Sequence, residues 1–160
     1  MTMGDHSGCR HRPAGFTLVE ILIALAIIAI LAGIGMGAYD RYREKARVAQ
    51  AVADIGAIAT SIKMYELEER DLPPNLDAVR TGGRLDPWGR PYQYFDLGSR
   101  KGNGMARKDK KLAPLNSDFD LYSLGKDGQS KPPLVTPVSR DDVVRARDGK
   151  FIGLAQDFDP

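Results

Sequence analysis

Residues 16–38 read FTLVEILIALAIIAILAGIGMGA, an apolar run whose one charged side chain is Glu20. In an α-helix that rises about 1.5 Å per residue, roughly 20 apolar residues cross the hydrocarbon core of a bilayer. The run therefore predicts a transmembrane helix. A carboxylate inside such a helix is costly and usually serves a function, so we expect Glu20 to have a specific cationic partner.

A short leader with the basic residues Arg10 and Arg12 precedes the run. The small residue Gly15 comes directly before Phe16, whereas an ordinary secretory signal peptide is cut after its apolar stretch. A cut between Gly15 and Phe16 would keep the run on the mature chain as an anchor. It would also create an amine on Phe16, which is the partner we expect for Glu20.

Charge sets the orientation of this anchor only weakly. The cations of the leader favour a cytoplasmic N-terminus, but a second basic group follows the run and favours the reverse. That group consists of Arg41, Arg43, Lys45 and Arg47. A plain signal anchor is an alternative interpretation of the run at this level.

The composition excludes several classes of function. The 160 residues carry 23 Lys and Arg against 21 Asp and Glu, a near balance that produces no strong field toward nucleic acid, and we expect no direct nucleic-acid binding. Cys9, the single cysteine, and both histidines lie in the leader. Without the leader, the chain has no thiol or imidazole for a disulfide, a zinc site or a nucleophile–base pair. It also has no phosphate-binding loop motif, so we expect no enzyme.

The helix is predicted to extend beyond the membrane, from about residue 17 to residue 70. The stretch from Asp40 to Arg70 lacks proline, and its apolar residues recur at spacings of three and four, which indicates an amphipathic helix with one face on a core. That face comprises Val48, Ala51, Val52, Ile55, Ile58, Ala59, Ile62 and Tyr65. Two prolines at 73 and 74 end the helix. The glycines at 33, 35 and 37 indicate either close helix packing or a soft segment that can stretch.

Beyond the helix, the sequence predicts a small antiparallel sheet. PYQYF at 91–95 is typical of a short aromatic strand, and DFDLYSL at 118–124 alternates polar and apolar residues like a half-buried strand. In that pattern Asp120 and Tyr122 lie on the side away from the core. The polar stretch at 98–111 indicates a hairpin loop. We therefore predict an α+β fold, in which the outer half of a long N-terminal α-helix packs on the sheet.

The motif GFTLVEILIALAIIAIL resembles the class III prepilin leader of type IV pilins and type II secretion pseudopilins. In that leader a glycine precedes the cut, an apolar aromatic residue follows it, and a glutamate comes four residues later. The resemblance implies that a prepilin peptidase cuts between Gly15 and Phe16 on the cytoplasmic side of the inner membrane and methylates the amine of Phe16. It also implies a filament of packed helices, in which Glu20 of an incoming subunit meets the Phe16 amine of its neighbour.

The same resemblance divides the chain into four parts. Residues 1–15 are the leader peptide, 16–38 the transmembrane half of the helix, 39–72 its amphipathic soluble half, and 73–160 a periplasmic β domain with a pilin-like fold. The chain would be a single-pass protein of the bacterial inner membrane. Its assembled filament would lie in the periplasm or at the cell surface.

A second resemblance concerns the soluble domain. DPWGRPYQY at 86–94 followed by DFDLYSLGKDG at 118–128 is similar to the C-terminal domain of the major pseudopilin of type II secretion. We therefore expect a structural subunit of a filament, the pseudopilus, that polymerises with other pseudopilins to drive protein export. An inner-membrane assembly platform powered by a separate ATPase would supply the energy. The alternatives are a major or minor type IV pilus subunit for adhesion, motility or DNA uptake, and a signal-anchored periplasmic binding or enzymatic domain.

Calcium is the one cofactor that the second resemblance implies, as a staple for the loop after the last predicted strand. An all-oxygen ligand set suits this hard cation. The ligands would be the carbonyls of Leu124 and Gln129, the carboxylate of Asp127, and that of Asp141 or Asp142. The residues alone leave alternatives open, because Asp127 also suits a tight turn and the Asp141-Asp142 pair also suits the start of a helix.

Overall fold

The computed structural model describes residues 15–98 and 105–159. Most of the predicted leader, and part of the loop predicted at 98–111, therefore lie outside the described residues. The chain divides into two compact units, Met1–Arg41 and Tyr42–Pro160. The first unit contains the apolar run, and the second contains the soluble domain.

A long helix, α1, comprises Leu18–Glu69, which confirms the predicted helix to within one residue at either end. Large apolar side chains of α1 in the first unit are exposed, and Leu22 and Ile30 are 57% and 64% accessible. The segment is long and apolar enough to cross a membrane. The transfer of such apolar side chains from water into lipid is favourable.

The second unit begins with the amphipathic part of α1, whose predicted core face is confirmed. Four residues of that face are fully buried: Ala51, Ile55, Ile58 and Ile62. Their spacings of three and four place them on one side of the helix. They form a core with Leu76, Tyr92, Phe119, Leu121 and Val143. The helix therefore supplies one wall of the domain core, and the sheet supplies much of the other.

Four short strands form an antiparallel sheet in the order β1-β2-β3-β4. They are β1 (Gln93–Asp96), β2 (Phe119–Ser123), β3 (Val143–Ala146) and β4 (Phe151–Leu154). Tyr94 of β1 lies opposite Leu121 of β2, and Val144 of β3 lies opposite Gly153 of β4. The predicted α+β fold and the first two strands are confirmed, whereas β3 and β4 come from a part of the chain where no strand was predicted.

The second face of β2 is also buried, which corrects the prediction of a half-buried strand. Asp120 is only 1% exposed, and Tyr122 packs on a second apolar cluster. That cluster contains Leu115, Leu134, Val144, Ala146, Ala155 and Phe158. The carboxylate of Asp120 is satisfied in this setting because it accepts hydrogen bonds from the backbone N–H of Arg107 at 2.7 Å and from Asn116 at 2.9 Å. Segments before and after β2 thus cover a face that looks solvent-exposed in the sequence.

An ion-pair cluster at Asp118 joins α1 to the sheet. The carboxylate accepts hydrogen bonds of 2.8 and 2.9 Å from Arg145 of β3 and lies 2.8 Å from Nζ of Lys63 in α1. Burial acts to raise the pKa of Asp118, but the hydrogen bonds from Arg145 and Lys63 outweigh it and hold the pKa well below its usual range. The carboxylate therefore stays ionised and keeps both cations in place.

Candidate functional site

The predicted cleavage point is exposed. Phe16 is 84% accessible, Gly15 is also exposed, and both come before the first helical residue, Leu18. A peptide bond that is outside a helix and open to solvent can enter a protease active site. The structure thus places Gly15 and Phe16 where a cut between them is sterically possible.

Glu20 closes the N-terminus of α1. Its Oε2 accepts hydrogen bonds from the backbone N–H and the hydroxyl of Thr17, both at 2.8 Å. The hydroxyl oxygen of Thr17 in turn accepts the backbone N–H of Glu20 at 3.2 Å. This reciprocal arrangement is a capping box, and the carboxylate also faces the positive end of the helix dipole. The sequence interpretation of Glu20 missed this function, although the S/T-x-x-E spacing of a capping box is visible in TLVE.

The capping box leaves part of the Glu20 carboxylate available. Its two accepted hydrogen bonds both end on Oε2, and within the described part of the chain no donor reaches Oε1. The residue is exposed, so a cation from another molecule can approach Oε1. An ammonium group has three donors and no acceptor, which matches this oxygen. The geometry therefore allows Glu20 to cap its own helix and to accept a second, intermolecular donor.

The second predicted site lies in the connection between β2 and β3, residues 124–142. The connection opens with a tight turn, in which Gly125 and Gly128 have φ angles of 63° and 72°. The N–H of Gly128 bonds to the carbonyl of Leu124 at 3.2 Å. A Cβ on Gly125 would lie 2.2 Å from the carbonyl oxygen of Asp141. Glycine is required at that position, and the two ends of the connection are therefore in direct contact.

Four of the predicted metal ligands meet around this turn. The N–H of Asp127 bonds to Oδ2 of Asp141 at 2.9 Å, and the N–H of Gln129 bonds to Oδ1 of Asp127 at 2.7 Å. With the carbonyl of Leu124, these residues provide oxygen ligands only, which fits a hard cation of flexible coordination. Residues 15–98 and 105–159 contain no cluster of three or more Asp, Glu, His or Cys side chains able to hold a metal. A cation here would therefore depend on carbonyl oxygens and water as well as on two carboxylates.

Asp142, the remaining predicted ligand, has different partners. Its side chain is fully buried, and Oδ2 accepts hydrogen bonds from Arg107 at 2.5 Å and from Ser130 at 2.6 Å. Burial raises the pKa of Asp142 to about 6, although the charge of Arg107 acts in the opposite direction. A strand follows Asp142, so the alternative interpretation of Asp141-Asp142 as the start of a helix is wrong.

Comparison with known proteins matches the N-terminal motif and, for several relatives, most of the chain. The family described as the prokaryotic N-terminal methylation motif matches residues 10–36. Type II secretion system core protein G from Pseudomonas aeruginosa is 30% identical over 141 residues, which cover 75% of this chain and 88% of that protein. The protein of the same name from Aeromonas hydrophila is 29% identical over 142 residues, with coverages of 76% and 88%. A fimbrial protein of Neisseria meningitidis is 26% identical over 139 residues, with coverages of 84% and 79%. No solved structure matches the chain significantly.

These matches agree with the geometry of the N-terminus. The methylation motif includes the exposed junction between Gly15 and Phe16, the capping residue Glu20 and most of the apolar part of α1. That apolar helix anchors the chain in a membrane by a single span. The similarity to the P. aeruginosa protein covers 75% of this chain, so it extends well beyond the motif and into the soluble domain. The chain belongs to the family of type II secretion system core protein G.

Proposed function

We propose that this chain is a structural subunit of a helical filament anchored in the inner membrane, the pseudopilus of a type II secretion system, and that its assembly drives protein export. The observation that carries the proposal is Glu20, placed in the first turn of an exposed apolar helix and four residues after Phe16 of the Gly15–Phe16 junction. The names of the relatives, core protein G of type II secretion systems, support the same system. The function is mechanical and requires no catalytic site in this chain.

Filament growth depends in this proposal on the pairing of opposite charges. Cleavage gives Phe16 a cationic amine, and methylation keeps its charge. When helices pack side by side, this amine and Glu20 both leave water, and buried charges are tolerated only as a close pair. An incoming subunit is therefore accepted where its Glu20 meets the Phe16 amine of a neighbour, which sets the axial register of the filament.

Three partners complete the proposal. A prepilin peptidase cuts and methylates the chain at the cytoplasmic face of the membrane, so the folded domain lies on the periplasmic side. An inner-membrane platform moves subunits from the bilayer into the filament. A separate ATPase provides the energy, because this chain contains no phosphate-binding loop motif.

A subunit of a type IV pilus, serving adhesion, motility or DNA uptake, is the second candidate. The fimbrial protein of N. meningitidis matches 84% of this chain, and the proposed chemistry at Phe16 and Glu20 is the same in both cases. Genomic context distinguishes the two. A secretin and other secretion components encoded nearby favour the pseudopilus, whereas a retraction ATPase favours the pilus.

The proposal predicts a mature chain that begins at methylated Phe16. The chain purified from host membranes is expected to lack residues 1–15 and to carry a methyl group on its terminal amine, which intact mass spectrometry measures. Electron microscopy of cells that overproduce the chain with its assembly machinery is expected to show filaments. As a control, Gly15→Val should keep the leader and form no filaments. A native chain that retains residues 1–15 would contradict the proposal.

We also propose that calcium stabilises the connection between β2 and β3. Asp127 and Asp141 come from opposite ends of this connection and lie side by side. A divalent cation bound to both carboxylates would tie the two ends together. The carbonyls of Leu124 and Gln129 would complete the protein's share of the ligands.

Chelation is expected to lower the melting temperature of the full chain in detergent. A ligand present at a hundred times its Kd stabilises the folded state by about 2.7 kcal/mol, which corresponds to a shift of several degrees. Asp127→Ala should abolish the difference between calcium and chelator, whereas Asp157→Ala, at an exposed carboxylate elsewhere, should preserve it. Circular dichroism during heating measures both effects. Identical wild-type curves with and without chelator would remove calcium from the proposal.

A further inference from the structure

Arg107 is a charged residue buried inside the soluble domain. It is 2% exposed, and its guanidinium lies 4.3 Å from the centre of the Tyr122 ring. A buried cation is strongly destabilising unless an anion and further hydrogen-bond acceptors surround it. Its environment must therefore contain a specific anionic partner.

That partner is Asp142, at the end of the β2–β3 connection. Nη2 of Arg107 donates to Oδ2 of Asp142 at 2.5 Å, and Nη1 donates to the hydroxyl oxygen of Ser130 and to the carbonyl of Lys131. The hydroxyl of Ser130 donates to the same carboxylate oxygen at 2.6 Å, whereas Oδ1 of Asp142 and Nε of Arg107 have no hydrogen-bond partner among the described residues. We refer to Arg107, Ser130 and Asp142 as the Arg107 clamp. Ser130 lies within the connection, Asp142 at its end and Arg107 in the segment before β2, so the clamp ties three segments together.

Backbone hydrogen bonds next to the clamp join the same segments of the chain. The N–H of Lys108 bonds to the carbonyl of Pro132 at 3.0 Å, and the N–H of Leu134 bonds to the carbonyl of Lys108 at 2.9 Å. The N–H of Arg107 itself bonds to Asp120 of β2 at 2.7 Å. The proline-rich middle of the connection is therefore paired with the segment that carries Arg107, and the clamp closes this pairing at its buried end.

We propose that Arg107 is the internal cation for Asp142, and that it holds the β2–β3 connection without any metal at this carboxylate. The two neighbouring carboxylates then have different partners. Asp141 belongs to the exposed oxygen set around the turn, and Asp142 belongs to Arg107. The inference does not rest on the calcium proposal, since the clamp consists entirely of side chains of this chain.

A double-mutant cycle on the full chain in detergent tests this inference. Arg107→Met and Asp142→Asn are each expected to lower the melting temperature by about 10 °C or more, because each leaves the other group buried without its partner. The double variant buries no unpaired charge, so its decrease in melting temperature is expected to be smaller than the sum of the decreases in the two single variants. Lys110→Met removes an exposed cation from the same segment and should leave the melting temperature unchanged.

Calcium provides the second readout. If the wild-type melting temperature depends on calcium, Asp142→Asn is expected to preserve that dependence, and a loss of the dependence would make Asp142 a metal ligand and overturn the inference. If the wild type shows no dependence, the calcium proposal fails and the cycle alone decides. If the decrease in melting temperature of the double variant equals the sum of the two single decreases, the inference is overturned. Should Arg107→Met alone fail to fold, the double variant is still expected to fold, and its failure would also overturn the inference.

Discussion

Glu20→Gln is expected to enter the membrane normally and to form no filaments. Glutamine at this position can still accept hydrogen bonds from Thr17, as in other capping boxes, so the first turn of α1 is retained. The substitution removes the negative charge alone. An incoming subunit would then bury the amine of Phe16 beside a neutral group, and the yield of filaments should fall at least about a hundredfold.

Two further variants separate the capping function from the charge. Thr17→Ala weakens the cap by about 1 kcal/mol but keeps the carboxylate, so filaments are expected. Glu20→Ala removes both functions and should give none. Membrane fractionation measures insertion, and electron microscopy measures filaments. If Glu20→Gln formed normal filaments while Thr17→Ala formed none, the role of Glu20 would be confined to its own helix.

The structural features that could be predicted from sequence are those with local signals. The buried set Ala51, Ile55, Ile58 and Ile62 follows from spacings of three and four along α1, because helical geometry relates residues that are close in sequence. The candidate site at the N-terminus is equally local, since Gly15, Phe16 and Glu20 lie within a few residues of one another. The cap formed by Thr17 had such a signal as well, but the interpretation of Glu20 as an intermolecular group left it out.

The hairpin of β3 and β4 lacks comparable signals. Arg147 and Asp148 adopt left-handed φ angles of 52° and 56° in the turn between the strands, where glycine and asparagine are the usual residues. Arg145 interrupts the apolar pattern of β3, yet it is buried because its guanidinium pairs with Asp118. That partner comes directly before β2, so the spacing of residues within β3 cannot indicate it.

The candidate site in the connection was predictable only in part for the same reason. The contact between Asp127 and Asp141 joins two residues of one loop, and the predicted calcium ligands include both. The cation that contacts Asp142 is Arg107, which belongs to a segment predicted as a hairpin loop. No spacing relates these two residues, and the folded domain brings them together through the pairing of the segments around them. Burial, which the sequence does not display, is what distinguishes Asp142 from its neighbour.

Phe119→Ala is expected to reduce the free energy of unfolding of the domain by about 3–5 kcal/mol. The ring is fully buried between α1 and the sheet, and its centre lies 5.8 Å from the ring centre of Tyr94. The guanidinium of Arg145 lies 4.0 Å from the centre of the Phe119 ring. Alanine would leave a cavity in the core and remove the apolar surface beneath Arg145. Since domains are stable by only about 5–15 kcal/mol, the melting temperature should fall by more than about 10 °C.

The control for this prediction is Phe151→Ala, which makes the same chemical change in β4. Phe151 is half-buried at the edge of the second cluster, where its ring contacts Phe158, and surrounding groups and solvent can fill the space that it leaves. Phe151→Ala should therefore reduce the free energy of unfolding by less than half as much as Phe119→Ala does. The free energy of unfolding of Phe119→Leu should lie between those of wild type and Phe119→Ala, because leucine retains most of the buried volume. Near-ultraviolet circular dichroism of the full chain during heating measures all three. Equal losses for the two alanine variants would show that Phe119 has no special place in the core, and that the helix is held to the sheet chiefly by the ion pairs of Asp118.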